Sequence, residues 1–362
     1  MNARQIKDLK NFLGAVKLLG KNKNIPALSC LAFEKNIVRA TDLDNHLILS
    51  LHTGINACVD IKTIQSVLNF NPPKIRFNPL PENRMEIEYN GHKIIVPVLP
   101  IEDYPKIPKG RFKSVGIWSE SAINFLQNQS RFVSNDELKP ALTGVYFKLN
   151  HAMESCATNG HYLFIHKSAD PDCEVYNPAD GIISRNTIRL LSCLKSGVRI
   201  YRDKTKLSPL IKFCSLNFEL NNITLISHLI DEQYPDYQAV IPKEMQYMIS
   251  FDRKKMINLL QEALFFASPT NHTVVLNFEK NKILITAKNP SFKIEWQANF
   301  PIKCIAPIFS IGVNANYFQD ILKIFDDDTV TIKLNSPVSP ILFCSQKEQV
   351  DTILLMPIKL EE

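Results

Sequence analysis

A block of sequence occurs three times in this chain, at intervals of about a third of its length. Residues 26–33 read Pro-Ala-Leu-Ser-Cys-Leu-Ala-Phe, and Ala-Thr-Asp follows at 40–42. Residues 140–147 read Pro-Ala-Leu-Thr-Gly-Val-Tyr-Phe, and Ala-Thr-Asn follows at 157–159. A fainter third copy spans 273–290. Repetition over this length is typical of a domain copied within one chain, so each copy must bury its own core.

The ends of the copies also agree. Glu-Asp-Tyr-Pro-Lys-Ile-Pro at 102–108 resembles Asp-Glu-Gln-Tyr-Pro-Asp-Tyr at 231–237. The repeat therefore predicts three domains, at 1–114, 115–243 and 244–362, and each is of ordinary domain size.

Composition excludes several classes of protein. The chain is 45% hydrophobic and 22% charged, which is typical of a globular fold. No apolar stretch of about 18 residues occurs, and charged residues occupy the positions where a signal peptide needs apolar ones, so we expect no membrane association and a cytoplasmic location. The eight cysteines form no Cys-x-x-Cys pair, which favours reduced, buried thiols and no metal site.

Hydrophobic periodicity predicts six helices, two in each domain, among strand-like segments. The helices are predicted around residues 7–21, 61–68, 119–133, 184–195, 252–267 and 314–325. Asn90 and Gly91 separate two alternating segments, which predicts a β-hairpin with a type I′ turn. The pattern indicates an α+β fold in which each domain packs two helices on antiparallel sheets.

Four segments resemble the bacterial DNA polymerase III beta subunit family, the replicative sliding clamps. They are Ala-Thr-Asn-Gly-His-Tyr-Leu at 157–163, Tyr-Pro-Asp-Tyr-Gln-Ala-Val-Ile-Pro-Lys at 234–243, Asn-Ala-Asn-Tyr-Phe-Gln-Asp-Ile-Leu at 314–322 and Leu-Met-Pro-Ile-Lys-Leu at 355–360. Each segment is a weak signal, but their order and spacing extend the likeness over essentially the whole chain.

The resemblance implies a non-catalytic processivity factor without a cofactor. Its subunits would form a head-to-tail homodimer, closed into a six-domain ring with helices inside and sheets outside. Twelve helices side by side, spaced by about 8–10 Å, form a circle with a circumference of about 100–120 Å. After a helix radius of about 5 Å is subtracted, the opening is some 20–30 Å across, wide enough for duplex DNA.

Cations on the inner helices would contact DNA phosphates weakly and without reading sequence. The net charge of +6 is modest, although residues 1–114 hold 17 basic and 10 acidic side chains. An ordinary solvated helix face is the alternative explanation for any one of these cations. The candidates are Lys10, Lys17, Lys21, Lys23, Arg185 and Arg189.

The family also binds short apolar motifs of its partners in a cleft between its second and third domains. The implied partners are the polymerase III alpha subunit, the clamp loader and other proteins that carry such a motif. Without the resemblance, the leucines of the set would be interpreted as core residues, Gly160 as a turn glycine and His161 as an ordinary surface or core histidine. The matching positions are Leu142, Thr143, Gly144, Thr158, Gly160, His161, Tyr162, Leu163, Pro242, Asn314, Tyr317, Val338, Met356, Pro357, Ile358, Lys359 and Leu360.

Ring closure would bring Tyr104 and Ile107 of one subunit to Phe265 and Phe266 of the other, although adjacent aromatic residues could equally belong to a core. The chain also departs from the family, which indicates a divergent member. Tyr162 and Lys359 stand where arginine is usual or frequent, and Glu361 and Glu362 follow the usual last leucine.

Two other functions remain open from the sequence. A clamp-like scaffold or decoy would keep the cleft and bind clamp-binding motifs without encircling DNA. A cysteine hydrolase would use Cys156 with His161, but no third orienting group is recognisable.

Overall fold

The computed structural model describes residues 1–20, 24–168, 173–194, 197–203, 209–216, 222–302, 308–344 and 351–360. Six α-helices lie in these ranges: α1 (Ala3–Val16), α2 (Ile61–Asn69), α3 (Glu120–Gln129), α4 (Arg185–Ser192), α5 (Arg253–Phe266) and α6 (Ala315–Leu322). Strands β1 to β12 are Cys30–Glu34, Ile37–Thr41, Asn45–Ser50, Asn56–Asp60, Ile75–Leu80, Arg84–Tyr89, His92–Pro97, Phe112–Trp118, Gly144–Leu149, Met153–Thr158, Tyr162–Lys167 and Glu174–Val175. Strands β13 to β24 are Ala179–Ser184, Val198–Asp203, Leu210–Ser215, Ile223–His228, Tyr247–Asp252, Thr273–Glu279, Lys282–Asn289, Ile294–Pro301, Ser310–Asn314, Thr329–Leu334, Ile341–Cys344 and Asp351–Leu355.

All six predicted helices are present, and their first residues follow from capping. Ser184, Asp252 and Asn314 each accept a hydrogen bond from a backbone N–H in the first turn of the helix that follows. Ser119 does the same for Ala122, as its predicted N-cap role requires. The expected α+β class is confirmed.

The helix ends were predicted less well. The helix predicted at 119–133 ends at Gln129, because the buried Gln129 amide donates to the carbonyls of Ser155 and Phe164 and a tight turn then carries Phe132 into the core. Helices α1, α4 and α6 also end several residues earlier than expected.

The chain forms two compact units. The first contains residues 1–127, 148–153 and 170–231, and the second contains 128–147, 154–169 and 232–362. The predicted middle domain, 115–243, therefore contributes to both units. The division into three domains stays a prediction.

In the first unit, nine strands form one sheet in the order β12-β8-β14-β15-β16-β3-β2-β1-β4, and β5-β6-β7 form a second sheet. Strands β6 and β7 pair antiparallel around Asn90 and Gly91, which have φ values of 48° and 78°. Positive φ at both central residues confirms the predicted type I′ hairpin.

In the second unit, one sheet has the strand succession β9-β10-β11-β24-β23-β22-β17, and another has the order β20-β19-β18-β21. Strand β11 pairs antiparallel with β24, so that Tyr162 lies opposite Leu355. This pairing joins the middle of the sequence to its last strand and positions the residues after Leu355 beside the β10–β11 turn.

The repeat is visible in the backbone of the first two copies. A 3₁₀ helix at Pro26–Ser29 precedes β1, and another at Pro140–Thr143 precedes β9. The Ala-Thr pair of each copy ends a strand, β2 or β10, and begins a tight turn. The two copies therefore share local structure as well as sequence.

Candidate peptide-binding cleft

The turn between β10 and β11 forms the centre of the candidate cleft in the second unit. The Thr158 hydroxyl donates to the carbonyl of Tyr162 at 2.7 Å and accepts from the N–H of Gly160 at 3.0 Å. Asn159 Oδ1 accepts from the N–H of His161 at 2.9 Å. Gly160 has φ 90°, a conformation that favours glycine. The turn thus leaves His161 exposed at its tip and returns Tyr162 to the sheet.

Tyr162 is the middle ring of an aromatic stack. Its ring centroid lies 4.4 Å from that of Phe132 and 4.5 Å from that of Tyr317. Its hydroxyl donates to the carbonyl of Arg131 at 2.7 Å, and the residue is only 4% exposed. His161 lies nearly parallel to Tyr317, with 6.0 Å between centroids. The stack thus fixes the Tyr317 ring against the turn.

Helix α6 supplies Tyr317, and Asn314 fixes the start of that helix. Asn314 Oδ1 accepts from the N–H groups of Asn316 and Tyr317, at 3.0 and 3.2 Å. Its Nδ2 donates to the carbonyl of Asn271 at 2.9 Å. Asn314 therefore acts on the candidate cleft through the placement of Tyr317.

The terminal segment Met356–Leu360, here called the tail, is held at two points. The N–H of Met356 donates to the carbonyl of His161 at 2.8 Å, and the N–H of Ile358 donates to the carbonyl of Gly312 at 2.7 Å. A Cβ atom on Gly312 would lie 2.7 Å from the carbonyl oxygen of Ile358 and 2.8 Å from Leu360 Cδ2. Only glycine at 312 allows the tail to approach β21 this closely.

The other predicted cleft residues are placed less directly. Leu142, Thr143 and Gly144 lie at the 3₁₀ helix before β9, where the carbonyl of Leu142 accepts from the N–H of Ser134 at 2.7 Å. Leu163 is buried in a core cluster with Cys156. The hydrogen bonds and ring contacts of the described residues do not connect Pro242 or Val338 to this group, and Lys359 is exposed.

Sequence reasoning missed Phe132, the carbonyl of Arg131 and Gly312. Gly312 had a usable signal, because a glycine inside a strand often marks the close approach of another backbone. Phe132 had none, since the helical pattern assigned it to α3.

Helix α6 also carries a partly buried carboxyl group, Asp320. Burial raises the pKa of Asp320, one turn after Tyr317 on α6, while Lys323 and Arg131 act in the opposite direction. The same physical cause argues against a cysteine hydrolase. Burial raises the pKa of the Cys156 thiol, and a reactive cysteine needs a lowered pKa and solvent access.

The predicted DNA-contacting cations that the structure describes lie in the first unit, on or beside two helices. Lys10 and Lys17 line a groove of about 400 Å³ between α1 and α2, together with Gln65, Asn69 and Asn71. Lys10 Nζ donates to Asn71 Oδ1 at 2.5 Å. Arg185 and Arg189 are four residues apart on α4 and therefore share a face. Lys21 and Lys23 lie outside the described residues, as do Cys304, Glu361 and Glu362.

The residues predicted at the dimer interface differ in how far their side chains are exposed to solvent. Phe265 at the end of α5 is 84% exposed, and Phe266 stacks on Trp296 with 6.5 Å between centroids. Tyr104 is 3% exposed, and its hydroxyl donates to the carbonyl of Cys30 at 3.3 Å. Tyr104 thus belongs to the core of its own unit and has little surface left for a second subunit. Ile107, three residues later, is half-buried.

Two further features of the described residues bear on function. Within the described ranges, no three His, Cys, Asp or Glu side chains are grouped so that they could hold a metal ion. Within the same ranges, no helix combines the length and the apolar character that a membrane crossing requires.

Comparisons with known proteins agree with this geometry. Residues 238–359 match the family model described as DNA polymerase III beta subunit, C-terminal domain. The beta sliding clamp of Synechococcus elongatus is 27% identical over 268 residues, covering 72% of this chain and 69% of that protein. The beta sliding clamp of Vibrio cholerae is 22% identical over 371 residues, covering 98% and 97%.

Among solved structures, the DNA polymerase III subunit beta from Pseudomonas aeruginosa superposes with a TM-score of 0.86. It is 19% identical in sequence, and the match covers 98% of each chain. At this level of identity, the structural likeness establishes the fold.

Proposed function

The chain belongs to the DNA polymerase III beta subunit family, and on that premise we propose that it is a sliding clamp. In this proposal it has no catalytic activity, acts in the cytoplasm, encircles duplex DNA as a head-to-tail homodimer of three-domain subunits, and tethers proteins that dock in the cleft. The polymerase III alpha subunit and the clamp loader are the proposed partners.

The observation that carries the docking part is the convergence of three distant segments in one unit. The Thr158–Tyr162 turn, the start of α6 and the tail meet through the Tyr162–Tyr317 stack and the hydrogen bond between Met356 and His161. Exposed Met356 provides an adaptable apolar side chain at this meeting point. An apolar cleft with a few polar backbone groups suits short peptides with apolar anchors.

The groove between α1 and α2 supports the DNA part. Two lysines and three amide side chains line it, and none of its lining residues is acidic. Such a surface suits weak contacts with phosphates that can exchange as the protein slides.

Retention on circular DNA tests encirclement. The purified protein, placed on a nicked circle by a clamp loader, should remain on the DNA through gel filtration and leave after the circle is cut. A monomer in sedimentation that ignores circular DNA but captures clamp-binding peptides would refute encirclement and favour the scaffold.

Peptide capture tests the cleft separately. A fluorescent peptide carrying an apolar clamp-binding motif should bind the wild-type protein and fail to bind a variant truncated before Met356. Gly312→Ala should weaken binding about tenfold, because the added methyl group must displace the tail at a cost of about 1–3 kcal/mol. Gly14→Ala is the matched control, since a Cβ there meets no atom within 4 Å. Equal binding by Gly312→Ala and Gly14→Ala would contradict the role of the tail.

A further inference from the structure

A second surface, in the first unit, combines exposed aromatic rings with cations. Phe70, just after α2, is 62% exposed, and its ring packs offset on Tyr89 with 5.7 Å between centroids and an interplanar angle of 25°. The ring of His92 lies 5.9 Å from that of Tyr89. We call these three residues the ring platform. Tyr89 and His92 flank the Asn90–Gly91 turn, so a rigid hairpin fixes two of the rings.

The position of Phe70 is also fixed. Asn90 Nδ2 donates to the carbonyl of Phe70 at 3.2 Å, which ties the hairpin to the end of α2. A large apolar ring held in solvent while its backbone is restrained needs little further ordering when a ligand binds.

Positive charge lies beside the rings. A cavity of about 380 Å³ is lined by Tyr89 and His92 together with Lys74, Arg76 and Lys93. Glu88 is the single carboxylate in that lining. Arg76 and Lys93 both pair with Glu88, at 3.5 and 2.9 Å, whereas exposed Lys74 forms no ion pair within the described residues.

We propose that the ring platform and Lys74 form a binding site for single-stranded nucleic acid. An unpaired base presents a flat face that can stack on Phe70, and its phosphate can approach Lys74 and Arg76. Paired bases inside a duplex have both faces covered, so the rings select unpaired strands. The charge favours a polyanion over an apolar peptide, because Lys74, Arg76 and Lys93 outnumber the two carboxylates beside them, Glu88 and the Glu86 that pairs with Lys93 at 3.3 Å. Lys74 is the cation of this group that keeps its charge free of an ion pair within the described residues.

The site is separate from the cleft, which lies in the second unit, and it does not require ring closure. A labelled oligothymidylate of about twelve nucleotides is the probe, since OB folds, which also stack bases on aromatic rings, cover about 4–16 nucleotides. Binding is measured by fluorescence anisotropy at several salt concentrations. Phe70→Ala should weaken it about 5-fold to 100-fold, the loss expected for one stacked base.

Two further variants sharpen the test. Lys74→Gln should reduce the slope of log affinity against log salt by about 0.7, the value for one phosphate contact on a single strand. Phe292→Ala is the matched control, because Phe292 is a similarly exposed phenylalanine (73%) in the second unit, and it should bind like wild type. Thermal unfolding of each variant verifies that the fold is retained.

The outcomes separate this site from the clamp proposal. Wild-type protein that does not bind the oligonucleotide, or Phe70→Ala and Phe292→Ala proteins that bind equally well, would overturn the inference. Equal competition by an unlabelled duplex would also overturn it, because stacking would then contribute nothing. Wild-type protein that fails on circular DNA but binds the oligonucleotide through Phe70 would refute the clamp and support this site.

Discussion

Two turns with the same hydrogen bonds, one in each unit, have opposite surroundings. Thr41 donates to the carbonyl of Asn45 at 2.8 Å, as Thr158 does to that of Tyr162 at 2.7 Å. The N–H of Leu43 donates to Thr41, as that of Gly160 does to Thr158. The repeated sequence thus fixes the turn itself, and the neighbours decide its use.

The first turn is closed by polar contacts. The Asp42 carboxylate accepts from the N–H of Gly20 and from Asn186 Nδ2, both at 2.8 Å. Buried Asn45 Oδ1 accepts from the hydroxyls of Thr187 and Ser227, both at 2.8 Å. Asn45, Thr187 and Ser227 are buried, so a ligand could reach them only by breaking this network, and this copy serves stability.

The second turn is left accessible. Asn159 bonds within its own turn, His161 is exposed, and Tyr162 takes the position of Asn45 with a stack of rings in place of hydroxyl groups. The tail is the backbone that borders it. The two copies of the turn therefore share their internal hydrogen bonds, while a change of neighbours closes one copy and leaves the other accessible.

The largest expected effect comes from removing the central ring of the second turn. Tyr162→Ala should lower the free energy of unfolding by about 3–5 kcal/mol, as for other buried aromatic residues, and should abolish peptide capture because Tyr317 loses its support. Urea unfolding and peptide anisotropy measure both effects. Tyr162→Phe is the control, because it keeps the stack and loses only the bond to Arg131. An Ala variant within about 1 kcal/mol of wild type would show that the stack is unimportant.

The second-largest expected effect concerns His46, a buried histidine directly after the first turn. Burial first, and then the neighbouring His228, lower the pKa of His46 to about 4, with Arg39 acting in the same direction and Asp42 and the Leu43 backbone opposing it. The unfolded chain therefore binds more protons than the folded one between about pH 6.5 and 4, and stability falls on acidification through that window, by at most about 3 kcal/mol.

His46→Leu tests this, because Leu163 takes the corresponding position in the second turn. Urea unfolding at pH 7 and pH 5 should show a smaller loss on acidification for this variant than for wild type. An identical loss in both proteins would assign the acid sensitivity to other groups.

The third expected effect is the loss of stability when the polar network of the first turn is broken. Asn45→Ala leaves the buried hydroxyls of Thr187 and Ser227 without their shared acceptor, which should cost about 1–3 kcal/mol. Peptide capture should not change, because the turn lies in the first unit. Asn159→Ala is the counterpart in the second turn and should cost less, since its bonds lie near solvent. If Asn159→Ala lowered the free energy of unfolding more than Asn45→Ala, the proposed contrast between a closed first turn and an accessible second turn would be wrong.

The smallest expected effect concerns the third residue of each turn. Leu43 has φ 84° where Gly160 has φ 90°, and Leu43 is 40% exposed. Leu43→Gly should raise stability by no more than about 1 kcal/mol, since relief of left-handed strain is partly offset by the entropy of glycine. Gly160→Ala should lower stability by a similar amount, and thermal unfolding of both variants measures the pair. Destabilisation by Leu43→Gly would show that packing of this leucine outweighs its strain.

Several elements followed from sequence because their causes are local. Ser184, Asp252 and Asn314 cap helices with their own side chains, and Asn90–Gly91 sets the hairpin through allowed φ values. The end of α3 did not follow, because Gln129 reaches carbonyls on two strands that are distant in sequence. The same limit applies to Tyr104, whose burial depends on contacts with the Cys30 cluster.

By itself, the sequence determined the repeat, the α+β class, the starts of α2 to α6 and the residues of the β10–β11 turn, since these depend on periodicity and on side chains within a few positions. Tertiary structure alone decided that Tyr162 is stacked between Phe132 and Tyr317, that Gly312 accommodates the tail, and that the related turn at Asp42 is closed. Those contacts join residues far apart in the chain, and burial and steric fit, which no local pattern encodes, determine which of them form.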